Sequence, residues 1–439
     1  MVSSPRHATE IERNGRRAVG GVAPLTRTAG QRRRRYRPRG WLRHYAGAFS
    51  PRAAAAMPVV LERDARSRVA RAVATAWQAA GERRRPSRSR MRAISAAPGG
   101  RLEWRSVPAP ADPGPKGAVV HPIAMATCDI DCPLALGRTP LLLPAHLGHE
   151  CVAEVVSVGG EVRRFRPGDR VIVPFQISCG ECVACRDGRS GSCATVPPLS
   201  MYGMGVLTGH HGGAFADQLG VPFADAMLVA LPEGVDPVAA ASVSDNVCDA
   251  YRHIGPHLPS LLRSDPGAEV LIVAGLSRRP TFTASVPLYT GLIARALGAR
   301  NVVLADSRPD VRAHAEALGL ATLTPRELRR HAPARLVAHI SDAPLRVALD
   351  RTAADGVCSS SGSFHSRTAV PMVKMWMRRV VLHVSIPHVR ETIPPVLELM
   401  RTGAFRPEDV VTRVAPFDEA PVHLREHVLE GATKTVLVA

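Results

Sequence analysis

The sequence predicts an α/β protein built in two unlike parts, a mainly β part of short strands and turns and a part in which strands and helices alternate around a parallel sheet. Three observations lead there. From residue 91 to about 240, Gly and Pro break the text into short apolar runs. From about 240 to 363, strand-like and helix-like runs alternate. Nearly all of the formal charge of +19 is confined to the stretch that precedes both. The 439 residues are enough for two or three domains and a sizeable core. No run approaches the ~20 consecutive apolar residues of a membrane span. The opening residues lack the apolar core of a secretory signal, so a soluble, cytoplasmic protein is expected.

Residues 1–90 hold 22 Arg, no Lys and five acids, a net +17 that leaves +2 for residues 91–439. An Ala-rich stretch near 52–80 is compatible with a helix; the rest has charge without an apolar period and is expected to be disordered. A nucleic-acid arm, an Arg-rich transit peptide and upstream sequence read from a misassigned start all fit. The last is favoured, because Arg outnumbers Lys along the whole chain, as GC-rich coding gives. Met91 then opens a first strand, Met91–Ser95.

In the β part, Gly117–His121 is a short strand expected to stop at Pro122, and Cys151–Gly159 is a longer one. Pro167-Gly168-Asp169 is a turn into Arg170–Val173. In the alternating part, Val270–Ala274 is a buried strand, 288–297 a helix, Asn301–Asp306 the next strand and Arg312–Leu318 the next helix. Such βαβ units imply a parallel sheet covered on both faces. After 364 the text returns to mixed strands with one helix near 391–402.

Four of the nine cysteines fall within fifteen residues: Cys179-Gly180-Glu181-Cys182-Val183-Ala184-Cys185, closed by Cys193. Four thiolates on one loop suit a closed tetrahedral Zn²⁺ site, and in a non-secreted chain clustered cysteines favour metal over disulfides. An iron–sulfur reading shares the first spacing, but the fourth cysteine comes eight residues on and is followed by Ala194 rather than Pro. A second set is Gly148-His149-Glu150 with Cys128 before it and Asp245 after it. One thiolate, one imidazole and one carboxylate leave a fourth zinc position for water or a substrate oxygen. Singly, a His or a Cys is more often an ordinary core residue.

Taken together, residues 91–439 resemble the zinc-dependent medium-chain dehydrogenase/reductase (alcohol dehydrogenase) family over nearly their whole length. Gly148-His149-Glu150 through Gly168-Asp169-Arg170-Val171 resembles its GHE…GDRV signature. The four-cysteine spacing resembles its structural-zinc lobe, and Gly212–Asp217 resembles its GGfAey strand. Ser244-Asp245-Asn246 stands where many bacterial members carry a zinc-binding Asp; other members use Cys there, which makes Cys248 the alternative. The resemblance implies a GroES-like mainly β catalytic domain over 91–240, a Rossmann-type nucleotide-binding domain over 241–363 and a return to the catalytic domain over 364–439. It implies two zinc ions per chain. The catalytic one would lie on Cys128, His149 and Asp245, with Glu150 close to the metal as an occasional ligand or a neighbour of one. The other would lie on Cys179, Cys182, Cys185 and Cys193.

Two departures from the family pattern stand out. The family reads Cys-Gly-Ser/Thr-Asp where this chain has Cys128-Asp129-Ile130-Asp131. Ile130 cannot pass a proton, so a relay would run through water or another group, with His146, His210 and His211 as candidates. The second departure is the glycine turn. After Ala274-Gly275 the chain continues Leu276-Ser277-Arg278-Arg279-Pro280-Thr281, an insertion, and Pro287 falls where the last glycine is expected. Arg278 and Arg279 could replace backbone amides as phosphate partners. Asp306 remains, placed to accept from a ribose 2′-hydroxyl, which favours NAD over NADP; Arg308, two residues on, would soften the preference.

The expected reaction is hydride transfer between an alcohol, or its aldehyde or ketone product, and a nicotinamide cofactor bound through Gly275, Asp306 and Arg308. A homodimer or homotetramer is expected from the family. No membrane or nucleic-acid partner is expected. Two alternatives stand beside this reading: a degenerate member that binds zinc without turnover, and a zinc-containing nucleic-acid binder that uses the basic extension.

Overall fold

The computed structural model describes residue 76 and residues 89–97, 101–110, 112–136, 145–197, 199–204, 211–277, 282–340, 344–361 and 368–439. The N-terminal extension, His210, Arg278 and Arg279 therefore lie outside the described residues, apart from 76, 89 and 90 of the extension.

The β part opens with an antiparallel hairpin, β1 (Arg90–Ala97) and β2 (Arg101–Pro108). Then come β3 (Ala118–Ala126), β4 (Ala145–His146), β5 (Glu150–Val158), β6 (Arg170–Val173), β7 (Leu219–Val221) and β8 (Val229–Ala230). Strands β2, β1 and β4 form one small sheet. In the larger one, β3 and β5 are antiparallel neighbours, β6 and β8 follow β5, and β7 pairs with β3. The Pro167–Asp169 turn is made by Gly168 at φ +92°, a conformation that costs glycine nothing.

Strand β3 does not stop at Pro122, as the sequence suggested. It runs on to Ala126, and the register against β5 shifts between Pro122 and Ala124. An irregularity of this kind absorbs the missing N–H of proline without ending the strand. The extension matters, because it carries the chain to Cys128.

The alternating part forms a six-stranded, all-parallel sheet in the order β11-β10-β9-β12-β13-β14. Its strands are β9 (Glu269–Val273), β10 (Asn301–Ala305), β11 (Ala321–Leu323), β12 (Ala334–His339), β13 (Thr352–Ser360) and β14 (Val381–Val384). Because parallel strands need crossovers, helices cover both faces, and central strands carry apolar side chains on both sides. Val270, Leu271, Ile272 and Val273 of β9 are all fully buried; each such side chain contributes roughly 1.5–3 kcal/mol. The helix α1 (Asn246–Ile254) precedes β9, and α2 (Ser285–Ala296) joins β9 to β10. Pro287 sits in the first turn of α2, where its missing N–H is of no consequence.

Beyond β14, helix α3 (Val389–Arg401) packs against α1. The chain then returns to the β part through β15 (Arg413–Pro416), helix α4 (Ala420–Glu430) and β16 (Thr435–Val438). Strand β16 pairs antiparallel with β3, Val436 opposite Ala126. One large apolar cluster runs from β3 and β5 through α1 into the parallel sheet, so the two parts share a core. Among the described residues, no helix is long and apolar enough to cross a membrane.

Candidate active site

Strand pairing assembles the first donor set. Ala126 stands opposite Glu150 in the β3–β5 ladder, so Cys128, just past one strand, meets His149, just before the other. Gly148 makes the approach possible: its φ is +89°, and a Cβ there would lie 2.4 Å from Phe215 N. Asp245 comes from the residue that precedes α1.

The three meet in the interior. Cys128 Sγ lies 3.1 Å from Asp245 Oδ2, and His149 Nε2 lies 3.2 Å from the same oxygen. All three are buried, and one donor atom from each falls within 4.8 Å of the others. Burial and then the charge of Asp245 push the Cys128 thiol well above its ordinary pKa. Burial also works against a charged imidazole, but Asp131 and then Asp245 hold His149 up at about 9. A thiol, an imidazole nitrogen and a carboxylate crowded in a dry interior call for a cation, and this three-donor set fits Zn²⁺ with a fourth position left over.

Asp131, Asn246 and Lys434, to which the sequence reading gave no role, hold these donors in place together with Glu150, which it did name. Asp131 Oδ2 accepts from Cys128 N at 2.8 Å, and its Oδ1 faces His149 Nδ1 at 3.8 Å. Asn246 Nδ2 lies 3.0 Å from Cys128 Sγ and 3.3 Å from Asp245 Oδ2. Glu150 is engaged at both oxygens: Oε1 accepts from Asn246 N at 3.0 Å, and Oε2 lies 2.7 Å from Lys434 Nζ. Lys434 Nζ also donates to Asn246 Oδ1 at 2.7 Å and to Thr127 O. Burial disfavours its charge, but Glu150 alongside holds its pKa above the usual lysine value. Lys434 is fully buried immediately before β16, and no local sequence signal marks its place in this network.

Cys248 is not part of the donor set; its Sγ donates to Val243 O at 3.0 Å. Of the candidate relay histidines, His146 Nδ1 lies 2.7 Å from Ser95 Oγ, and His211 packs edge-on against Tyr202.

Cys179, Cys182, Cys185 and Cys193 form the second donor set, their sulfurs within 4.8 Å of one another. Backbone N–H groups point at them: Glu181 N and Cys182 N at Cys179 Sγ, and Ala194 N at Cys182 Sγ, each 3.4 Å away. The Ala194 N–H, with that of Cys185, brings Cys182 down to about 6. Thiolates so supported, on a loop with little core of its own, suit a structural zinc.

The third constellation lies where β9 sits between β10 and β12, the point at which strand order reverses. Gly275 N donates to Asp306 Oδ2 at 3.0 Å. Arg308 clasps the same carboxylate, Nε to Oδ1 at 2.9 Å and Nη2 to Oδ2 at 2.7 Å, while its Nη1 donates to Phe282 O at 3.0 Å. Gly275, Asp306 and Arg308 are thus brought together, with both oxygens of Asp306 engaged by the other two residues. At the other end, the first turn of α2 holds the carboxylate of Asp129: Val286 N is 3.3 Å from Oδ2, and Thr283 Oγ1 is 2.6 Å from Oδ1.

Residues 114–233 match the family described as alcohol dehydrogenase GroES-like domain. The chain is 29% identical over 341 residues to the "Probable zinc-binding alcohol dehydrogenase" of Mycobacterium tuberculosis, covering 75% of this chain and 83% of the relative. It is 31% identical over 230 residues to the glutathione-independent formaldehyde dehydrogenase of Pseudomonas aeruginosa, covering 50% of this chain and 55% of that relative, about half its length. The crystal structure of an alcohol dehydrogenase from Thermus sp. ATN1 superposes with a TM-score of 0.70 at 27% identity, over 79% of this chain and 99% of that one.

Proposed function

From the premise that the chain belongs to the zinc-containing medium-chain alcohol dehydrogenase family, we propose that it is a zinc-dependent oxidoreductase acting between an alcohol and its aldehyde or ketone, with a nicotinamide cofactor. The observation that carries this is the buried tripod of Cys128, His149 and Asp245, with one donor atom of each within 4.8 Å of the others.

Zinc held there would supply Lewis-acid polarisation of the substrate oxygen. A nicotinamide would supply the hydride acceptor or donor. The chain's own residues do the rest. Asp131 faces the far nitrogen of His149 and orients its ring; Asn246 fixes Cys128 and Asp245 in one place; Lys434 neutralises Glu150 so that the centre does not carry an unpaired charge. Gly275 and Asp306, at the C-terminal ends of β9 and β10, would meet the ribose once Asp306 is released from Gly275 N and Arg308. NAD is the preferred cofactor in this reading, for the charge at Asp306. Cys179, Cys182, Cys185 and Cys193 would hold the structural zinc.

The proposed domain division is a basic extension over 1–90, a catalytic part over 91–240, a nucleotide part over 241–363 and a return over 364–439. The proposal includes a homodimer or homotetramer; its support is β14, an edge strand with Val381 and Val384 exposed, next to Trp376 at 80% exposure. Metal analysis of the purified protein, with turnover of primary and secondary alcohols followed by NADH or NADPH absorbance, tests the function. One zinc per chain, or no turnover of any alcohol or carbonyl, overturns it. A second reading, a zinc-binding member without turnover, draws on the occupancy of Asp306 and of the α2 terminus by the chain's own side chains. Two zincs without turnover would select it.

A further inference from the structure

We infer that Asp129 is an internal occupant of the place where a dinucleotide's phosphates would sit, and that the cofactor must displace it to bind. The inference rests on the reading of the βαβ part as a dinucleotide site.

Helix α2 runs for twelve residues and its preceding residue, Ala284, supplies no side-chain cap. The cap comes from another part of the chain. Asp129, more than 150 positions earlier and only 7% exposed, reaches the first turn and accepts from Val286 N, Thr283 Oγ1 and Ser285 Oγ. A carboxylate satisfies the free N–H groups and the partial positive charge of a helix N-terminus in the way a phosphate does. Both cannot be there. A phosphate arriving while Asp129 remains meets like charge at hydrogen-bond distance in a site closed to water.

A second latch lies at the ribose end. Arg308 holds both oxygens of Asp306 and also donates to Phe282 O, three residues before α2. The dinucleotide site is therefore closed at both ends by contacts within the chain.

The occupant is also linked to the metal donors through Ser285 and Asn246. Ser285 Oγ lies 2.9 Å from Asn246 Oδ1, and a hydroxyl has one proton to give. While Asp129 is in place its carboxylate competes for that proton. Once Asp129 withdraws, Ser285 is free to donate to Asn246, whose Nδ2 lies 3.0 Å from Cys128 Sγ. Occupancy of the cofactor site is thereby connected to the ligands of the catalytic metal through two side chains.

The test is nucleotide affinity of the full, zinc-loaded chain, measured by calorimetry with NADH, ADP-ribose and adenosine. The variants are Asp129→Asn, close in shape, Asp129→Gly, and Thr283→Val, which loosens the same clasp from the helix side. Asp129→Asn and Asp129→Gly should bind NADH and ADP-ribose at least tenfold more tightly than wild type, and Thr283→Val should shift in the same direction. Adenosine, which has no phosphate, should bind all of them alike. Without nucleotide, Asp129→Gly should melt at a lower temperature than wild type, because α2 has lost its cap, and zinc should stay at two per chain. Equal or weaker binding of NADH by the folded Asp129 variants overturns the inference while leaving the dinucleotide reading intact. No binding of NADH or ADP-ribose by any of the proteins overturns both.

Discussion

Lys434 Nζ lies 2.7 Å from Glu150 Oε2, and neither side chain reaches solvent. Removing one partner strands the other charge in the interior, at a cost of about 3–5 kcal/mol. Lys434→Met should lower the free energy of unfolding by that amount, read from urea titration, and loosen the catalytic zinc. The double variant Glu150→Gln/Lys434→Met should recover part of the loss. A single variant as stable as wild type would show that the pair does not hold β16 to the site.

The protein should bind two zinc ions per chain, held unequally. His149→Ala should abolish turnover and leave one tightly bound zinc. Cys179→Ser or Cys193→Ser should chiefly impair folding, because binding energies for structural zinc in small peptides reach about 10 kcal/mol and the lobe has no comparable apolar core. Elemental analysis beside circular dichroism on each variant checks this; iron with visible absorbance would contradict it.

NAD should be preferred over NADP, and Asp306→Ala should lose the preference by about tenfold or more, since hydrogen bonds to a charged group contribute ~1.5–3 kcal/mol. Arg308→Ala should sharpen it, because the guanidinium that now neutralises Asp306 is gone. Ratios of kcat/KM for the two cofactors measure both. An unchanged ratio in Asp306→Ala would mean that another residue selects.

Stability should fall on mild acidification. His427 is buried, and burial, with the charges of Lys434 and Arg413, lowers its pKa to about 3. Unfolded, a histidine titrates near 6.5. The unfolded chain therefore binds the proton first. The contribution is fully present above pH ~6.5 and is lost as pH falls toward 3, by up to about 5 kcal/mol. Urea midpoints between pH 7 and 4 should decline less steeply in His427→Gln; parallel slopes would remove His427 from the account.

A chain beginning at Met91 should fold and keep full activity. Strand β1 begins at Arg90, so the shortened chain loses one register pair, Arg90 with Pro108, and the Arg90–Ser106 hydrogen bond at the strand end. Loss of solubility or activity would make the basic extension part of the fold.

The elements were legible where periodicity is strong. The turn at Gly168 into Arg170–Val173, the buried β9 and the strand ending at Asp306 all stand in the sequence, because each is fixed by local pattern. Pro122 misled, because a register shift lets a strand pass a proline, and the partner strand that permits it is not visible locally. The four-cysteine set was visible as a spacing, and Cys128, His149 and Asp245 only through the family resemblance. Their supports were not: Asn246, Lys434 and Asp129 act through contacts with segments far away in the chain, and nothing around them in sequence marks those contacts.

The hydrogen bond from Lys434 to the carbonyl of Thr127 joins residues 307 positions apart. A chain made from its N-terminus onward has synthesised Cys128, His149 and Asp245 long before Lys434 leaves the ribosome. During that interval Glu150 has no counter-charge and β3 has no β16 to pair with. The catalytic centre is thus among the last features to be completed in a new molecule. The four-cysteine loop spans only fifteen residues and can close around its metal while the rest is still being made. A half-made chain could therefore capture zinc without being able to use it.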